Sequence, residues 1–356
     1  KDAISHRLFH ALLQDREDLL PIADSTMCYG CFLSSTTEKI DCGHSFCVEC
    51  CKLMKNYYDS RCMFCDQIHY WKDTRVAGYR ILSLDGGGVR SIMEIIILNK
   101  IEELLQIPIQ YLFDFIIGSN TGSLIASLIT ITGSISRHNI LQIVKDGLEK
   151  FFIQGRRYIR LRYKYHPNEF QQWLKRTISQ VKMIDSISVS SLRLAIPSSL
   201  NKGKYPTVLF TSYDREVIEQ DDPIKQLQPM DRYTVIDAIR ASFASALYSR
   251  TYISNGLGFM DADYRNMNPS LLAIEETKRI YAPILKKQCD ILLSIGSGVH
   301  RRRSFSDVEG YEKVSNVAKG FNDPEETWSK VHETVHEINP ELEDRLFRVN
   351  PILPEQ

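Results

Sequence analysis

Eight of the nine cysteines in this 356-residue chain fall between positions 28 and 65, and that crowding constrains how the segment folds more than its hydrophobicity does. They occur in short-spaced ligand pairs: Cys28-x2-Cys31, Cys42-x-His44, Cys47-x2-Cys50 and Cys62-x2-Cys65, with Cys51 spare or standing in for Cys50. A two-residue spacer lets both thiolates of a knuckle reach one tetrahedral Zn(II) at about 2.3 Å. Seven thiolates and one imidazole imply two closed, structural zinc sites. Buried thiols or a disulfide framework would also gather cysteines, but ordered pairs with an interposed Gly43-His44 favour metal. A unit of about 45 residues buries too little apolar surface to fold unaided, and each structural zinc supplies on the order of 10 kcal/mol or more.

The order of pairs resembles the RING finger. The resemblance implies that Cys28, Cys31, Cys47 and Cys50 hold one zinc, while Cys42, His44, Cys62 and Cys65 hold the other. It also implies a ubiquitin-conjugating enzyme as partner, met by an apolar surface that Ile40, Val48, Leu53 and Met63 would build. Three positions depart from the ligase pattern: Gly30 before the second cysteine, Met63 inside the last pair and Asp66 after it. A ubiquitin-ligase role and a purely structural or dimerising zinc module both stay open.

Lys plus Arg and Asp plus Glu each number 44, so no global field draws the chain to nucleic acid or to an acidic membrane. Nucleic acid is not expected as a partner, and membrane contact is expected to be peripheral at most. The longest apolar stretches, 92–98 and 111–117, are far shorter than the roughly 20 residues of a spanning helix. The polar start lacks a signal-peptide core, and the expected setting is cytoplasmic and reducing.

From Tyr79 onward the pattern changes. Residues 81–84 read as a buried strand, 85–90 as a loop with Gly86, Gly87 and Gly88, 92–105 as a helix and 113–117 as the next strand, a βαβ unit with a parallel sheet. Successive glycines leave backbone N–H groups facing a cavity above a helix N-terminus, suited to an oxyanion or phosphate. The second strand runs into Gly118-Ser119-Asn120-Thr121-Gly122, the spacing of a nucleophile elbow with asparagine at its centre. A carboxamide cannot become an alkoxide.

Together these motifs resemble the patatin-like phospholipases, with their D-G-G-G-x-R-G loop and G-x-S-x-G elbow. The likeness continues through 238–246, the small-residue helix; through Asp261-Ala262-Asp263 with Asn266-Met267-Asn268-Pro269, the acid loop; and through 292–298, the closing strand and glycine turn. It implies a three-layer α/β/α fold with a mainly parallel sheet, and a Ser-Asp dyad working without histidine. Carried over, Gly86, Gly87 and Gly88 form the oxyanion loop, Asn120 fills the nucleophile position and Asp261 is the retained acid. Ser91 replaces a family glycine, and Asp263 adds a carboxylate that, if turned inward, would raise the pKa of Asp261.

The expected organisation is an amphipathic helix over 1–23, the zinc module over 24–70, a linker over 71–78, the patatin-like domain over 79–300 and a helical extension over 301–356. Three functions are consistent with it. One is a pseudoenzyme that binds a lipid or fatty-acyl ligand and acts as a scaffold or lipid-responsive ubiquitin ligase; another is an acyl hydrolase with an unconventional nucleophile. The third is a regulator that pairs with active relatives, as a hetero-dimer, or with itself. Weaker signals have plainer readings. His332-Glu333-Thr334-Val335-His336 fits H-E-x-x-H but reads as a surface helix ended by Pro340, with Glu341 or Glu343 as the nearby third ligands. The basic stretch 156–165 and Arg301-Arg302-Arg303 read as exposed segments, and Cys289 as a core residue.

Overall fold

Strands Tyr79–Leu84 (β1), Phe115–Gly118 (β2) and Arg193–Leu200 (β3) are buried along almost their whole length, so the sheet they build must be covered on both faces. The structure, a computed structural model, describes residues 28, 38–40, 42–47, 50–51, 54, 61–62, 67–68, 78–132, 135, 139–153, 167–178, 180–188, 192–201, 207–214, 224–226, 232–245, 249–261, 266–285, 289–300, 324–338 and 340–353. The chain divides into two compact units, Lys1–Asp73 and Thr74–Gln356.

In the second unit, helix Ile92–Leu105 (α1) joins β1 to β2, and helices Thr121–Thr132 (α2), Ile140–Leu148 (α3) and Pro167–Thr177 (α4) lead to β3. Then come strands Thr207–Thr211 (β4) and Ile224–Gln226 (β5), helix Val235–Ser242 (α5), the hairpin Tyr252–Ser254 (β6) and Leu257–Met260 (β7), helix Ser270–Leu285 (α6) and strand Cys289–Ile295 (β8). Helix Pro324–Ile338 (α7) and strand Leu346–Val349 (β9) follow.

The sheet runs β9-β8-β1-β2-β3-β4-β5, with β7 on β3 and β6 on β7. From β9 to β3 every pairing is parallel, and β4 and β7 run antiparallel to β3. Leu84 lies opposite both Gly118 and Ile295, and Ile295 opposite Val349. Four strands therefore end level, and the segments leaving them share one edge, where open α/β sheets build their sites.

The period-2 alternation sorts side chains between two cores. Leu82, Leu84, Ile116, Leu194 and Ile196 pack with α1 through α5, while Ile81, Phe115, Ile117, Ala195 and Leu209 pack with α6 and α7. The expected three-layer α/β/α arrangement with a mainly parallel sheet is what forms. Helix α1 has the bounds its apolar spacing predicts.

Two expectations are corrected. The segment 301–356 is not a purely helical extension: after α7 it adds β9 to the sheet edge, because a four-residue strand is too short to show a period of its own. Nor is α7 simply a surface helix, since Val331 and Val335 are buried in the second core.

Within Lys1–Asp73, strands Glu38–Lys39 and Ser45–Phe46 pair antiparallel around a turn closed by Gly43 N–H on the Ile40 carbonyl at 2.8 Å. Ile40, Phe46 and Met54 form a small core with the cysteines. Ile40 is 3% exposed, so it holds that core together and is not part of the contact surface expected of it. Val48, Leu53 and Met63 lie outside the described residues, as do the 1–23 helix, the 156–165 stretch and 301–303.

Ile116 and Ile117 face opposite cores at full burial. Ile116→Ala and Ile117→Ala should each cost about 2–5 kcal/mol; urea unfolding of both variants checks that the two helical layers are equally packed.

Candidate functional site

The glycine loop and the elbow are pressed together. A Cβ at Gly122 would lie 2.5 Å from the Asp85 carbonyl and 2.6 Å from that of Leu84, and one at Gly118 would lie 2.2 Å from the Gly122 carbonyl. Side-chain-free residues are what let α2 start directly against the loop. Between them Asn120 sits in the left-handed region at φ 47°, where asparagine is tolerated better than most residues. Its N–H donates to Ser242 Oγ at 2.9 Å, its carbonyl accepts from the Ser123 N–H at 3.0 Å, and Thr121 Oγ1 donates to its Oδ1 at 3.1 Å. Ser119 and Thr121 are fully buried beside it, whereas Asn120 is only partly so.

Asp261 follows β7 and is 1% exposed; its N–H donates to the Ala244 carbonyl at 3.2 Å. Helix α5 and the residues just after it thus hold both dyad positions, Ser242 under Asn120 and Ala244 under Asp261. That helix is itself fixed by a capping box, in which Thr234 Oγ1 accepts from the Asp237 N–H at 3.1 Å and Asp237 accepts from the Thr234 N–H at 2.8 Å. Tyr252 from β6 donates to the same carboxylate. Ser242 was present in the sequence as one of several small residues, with nothing to mark its role. Ala262 and Asp263 lie outside the described residues.

The three loop glycines do not serve alike. Gly86 N–H donates to the Met267 carbonyl at 3.1 Å and its carbonyl accepts from Ser297 Oγ at 3.3 Å, so its amide is engaged. Gly87 must be glycine because a Cβ there would meet Ser297 Oγ at 2.0 Å. Gly88 opens the 3-10 turn Gly88–Ser91 that leads into α1. Of the three amides expected to face an oxyanion, that of Gly86 is turned to the Met267 carbonyl instead.

Beneath the loop lies a cluster of charges that motif reading missed. Arg348 of β9, with its side chain 5% exposed, grips Asp85 with two nitrogens at 2.8 and 3.3 Å. It also donates to Ser294 Oγ at 2.7 Å and to Glu325 Oε1 at 2.7 and 2.9 Å. Asn350 completes the cluster, accepting from the Gly298 N–H at 2.8 Å and donating to Glu325. A strand from the C-terminal end of the chain therefore fixes the first residue of the glycine loop.

Glu94, in the first turn of α1, is fully buried, and neither oxygen meets a donor in hydrogen-bonding geometry among the described residues. Burial raises its carboxyl well above the usual range and repulsion from Asp85 adds to this, while Ser91 and Arg348 offset only part. Burial also pushes Asp85 up to about 6 against the pull of Arg348. Both shifts favour the neutral carboxyl, and of the two carboxylates it is Asp85 that has the Arg348 guanidinium in hydrogen-bonding reach. A lone Glu in the apolar run 92–98 was the one available signal. Cys289 is indeed a core residue, and burial pushes its thiol up to about 12.

In the first unit, Cys28, Cys47 and Cys50 bring their sulfurs within 4.8 Å of one another, and Cys42, His44 and Cys62 bring their ligand atoms equally close. The Cys47 N–H donates to Cys28 Sγ at 3.1 Å, a bond that suits a thiolate. No disulfide joins the described cysteines. Three ligands of each expected quartet are thus together in the expected cross-over pairing, and Cys50 rather than Cys51 completes the first group. Cys31 and Cys65 lie outside the described residues. Among the described residues, no helix is long and apolar enough to cross a membrane.

Parallel strands ending in a glycine loop and an elbow, with a carboxylate on the neighbouring loop, define an acyl-hydrolase architecture. The model of the patatin-like phospholipase family matches residues 82–274, more than half the chain, and the chain belongs to that family. Calcium-independent phospholipase A2-gamma of Mus musculus is 28% identical over 310 residues, covering 81% of this chain and 37% of its own length. The Homo sapiens protein of that name is 27% identical over 300 residues, with 81% and 36% covered. Phospholipase A I of Arabidopsis thaliana is 25% identical over 328 residues, with 77% and 25% covered. The chain thus spans about a third or less of these relatives.

Removing one partner of a buried ion pair strands the other charge. Arg348→Met should therefore cost about 3–5 kcal/mol, and Arg348→Met with Asp85→Leu clearly less; urea unfolding of the set checks the clamp. Glu94 supplies a pH test. A carboxyl raised in the folded state binds its proton more tightly there, so its contribution is complete below the ordinary carboxylate range and is lost as pH rises through the folded value. The Tm of the unmodified protein minus that of Glu94→Gln should fall as pH rises above the ordinary carboxylate range; a flat difference would place Glu94 in water.

Proposed function

We propose that the patatin-like unit binds a fatty-acyl or lipid carbonyl without turning it over, and that the cysteine-rich unit is a RING-type module holding two structural zinc ions. The observation that carries the first part is Asn120. It stands on an elbow whose backbone turn, flanking glycines and Ser242 contact are in place, with a side chain that cannot attack an ester. A carboxamide keeps donor and acceptor capacity, and the Gly87 and Gly88 amides remain as donors for a carbonyl oxygen. Asp261 is then a base with no hydroxyl to activate.

For the second part, thiolate and imidazole ligands in two converging groups fit tetrahedral zinc. Cys28, Cys47 and Cys50 would hold one ion with Cys31; Cys42, His44 and Cys62 would hold the other with Cys65. The zinc supplies folding free energy rather than chemistry. Joined to an acyl-binding unit, such a module reads as the acting half of a lipid-responsive scaffold or ubiquitin ligase in a reducing compartment.

The names of the relatives support a second reading, an active lipid hydrolase. It would need another nucleophile, and Ser119 and Thr121 are both fully buried.

Turnover of a short-chain fluorogenic ester and of a phospholipid is the test, in the unmodified chain, Asn120→Ser and Asp261→Ala at equal zinc content. The unmodified chain is expected to be silent; Asn120→Ser should gain several powers of ten, since nucleophile loss has cost on the order of a million-fold in a serine protease. Activity in the unmodified chain that vanishes in Asp261→Ala would establish the hydrolase reading instead. A strong zinc chelator is expected to unfold the first unit while the second keeps its circular dichroism and cooperative melt.

A further inference from the structure

The H-E-x-x-H segment lies outside the acyl site, and the structure brings one of its two nearby carboxylates, Glu343, to both histidines. His332 and His336 stand one turn apart on α7, and Glu343, from the 3-10 turn Pro340–Arg345, reaches across to both. Its Oε1 lies 3.7 Å from His332 Nδ1 and its Oε2 3.2 Å from His336 Nδ1. Among the described residues Glu343 pairs with these two imidazoles and with no Lys or Arg.

We propose that His332, His336 and Glu343 form a surface site for a divalent transition-metal ion of the zinc type, separate from the cysteine-rich unit. Two neutral nitrogens and one anionic oxygen are a donor set that zinc accepts, leaving a fourth position for water. Glu343 offers a different oxygen to each imidazole, so an ion bound at about 2.0–2.1 Å would draw both rings and one of these oxygens together. A cation bound between the two rings would supply positive charge facing the carboxylate.

The fold holds the ligands from two sides. Val331 and Val335 anchor α7 in the second core, and the Trp328 ring meets the His332 ring edge-on at 5.2 Å. The turn bearing Glu343 is tied to β8 by Arg345 on Asp290 at 3.1 Å. All three ligand side chains are between 35% and 64% exposed, so their rings and carboxylate can turn to converge on an ion without disturbing the core. A bound ion would pin α7 to the turn that enters β9, the strand carrying Arg348.

Full-length protein, its cysteine-bound zinc retained after treatment with a mild chelating resin, is titrated with Zn(II) by calorimetry, with total zinc measured in parallel. One exchangeable equivalent beyond the cysteine-bound metal is expected. Its affinity should fall roughly tenfold or more in His336→Ala and in Glu343→Gln, and stay unchanged in Glu333→Gln. Amide exchange over 340–349 should slow with added Zn(II) in the unmodified chain and not in the first two variants. These positions are on the surface, and thermal melts confirm that the variants fold. No additional equivalent, or one that survives both substitutions, overturns the site. If the three residues form only a charge pair, the variants change stability and bind no less zinc, which also overturns it. Acyl binding and the cysteine-bound zinc do not enter either readout.

Discussion

The close approach of two backbone segments governs everything at the carboxyl edge of the sheet. The glycine loop leaves β1 and the elbow leaves β2 at the same level, and α2 can begin there only because Gly122 has no side chain to strike the Asp85 carbonyl. That contact fixes the start of α2, beside which the elbow's central residue takes a left-handed conformation. The elbow would keep this form with serine, asparagine or another tolerant residue at 120. Fold and chemistry are therefore separable here: packing maintains the turn, while one side chain decides whether it can attack.

Holding such a loop requires charge as well as packing. Asp85 is fixed by Arg348 from a strand at the other end of the chain, and Glu94 and Glu325 lie close to the same guanidinium. Asp85, Glu94 and Glu325 share one cation, Glu325 from a partly exposed position, and burial favours the neutral form of Glu94. The family model ends at residue 274, so part of what positions the loop comes from outside the segment that defines the family. Loop geometry and the docking of β9 are coupled by this one buried ion pair.

The first unit follows different physics. Its small core consists largely of cysteines with Ile40, Phe46 and Met54, and its two ligand groups interleave in sequence, so closing either group brings distant segments together. An apolar core of this size cannot order the segment alone. Metal at these two groups, as proposed, would supply that order and would explain why ligand spacing, rather than hydrophobic periodicity, is the readable signal there.

The sequence by itself determined what depends on local spacing. Buried runs around a glycine cluster dictated the strand, loop and helix over 79–105, with α1 at its expected limits, and Gly118 and Gly122 dictated the elbow with its missing hydroxyl. Paired cysteines dictated two ligand groups and their membership among the described residues. Tertiary structure alone decided what depends on distant segments meeting. Arg348 finding Asp85 across 263 positions, Ser242 supporting Asn120 across 122, and Gly86 spending its amide on Met267 leave no trace in local pattern. The same holds for Ile40 turning into the core. A hydrogen bond or ion pair is fixed by where a chain returns, and a period of two or 3.6 residues carries no information about that return.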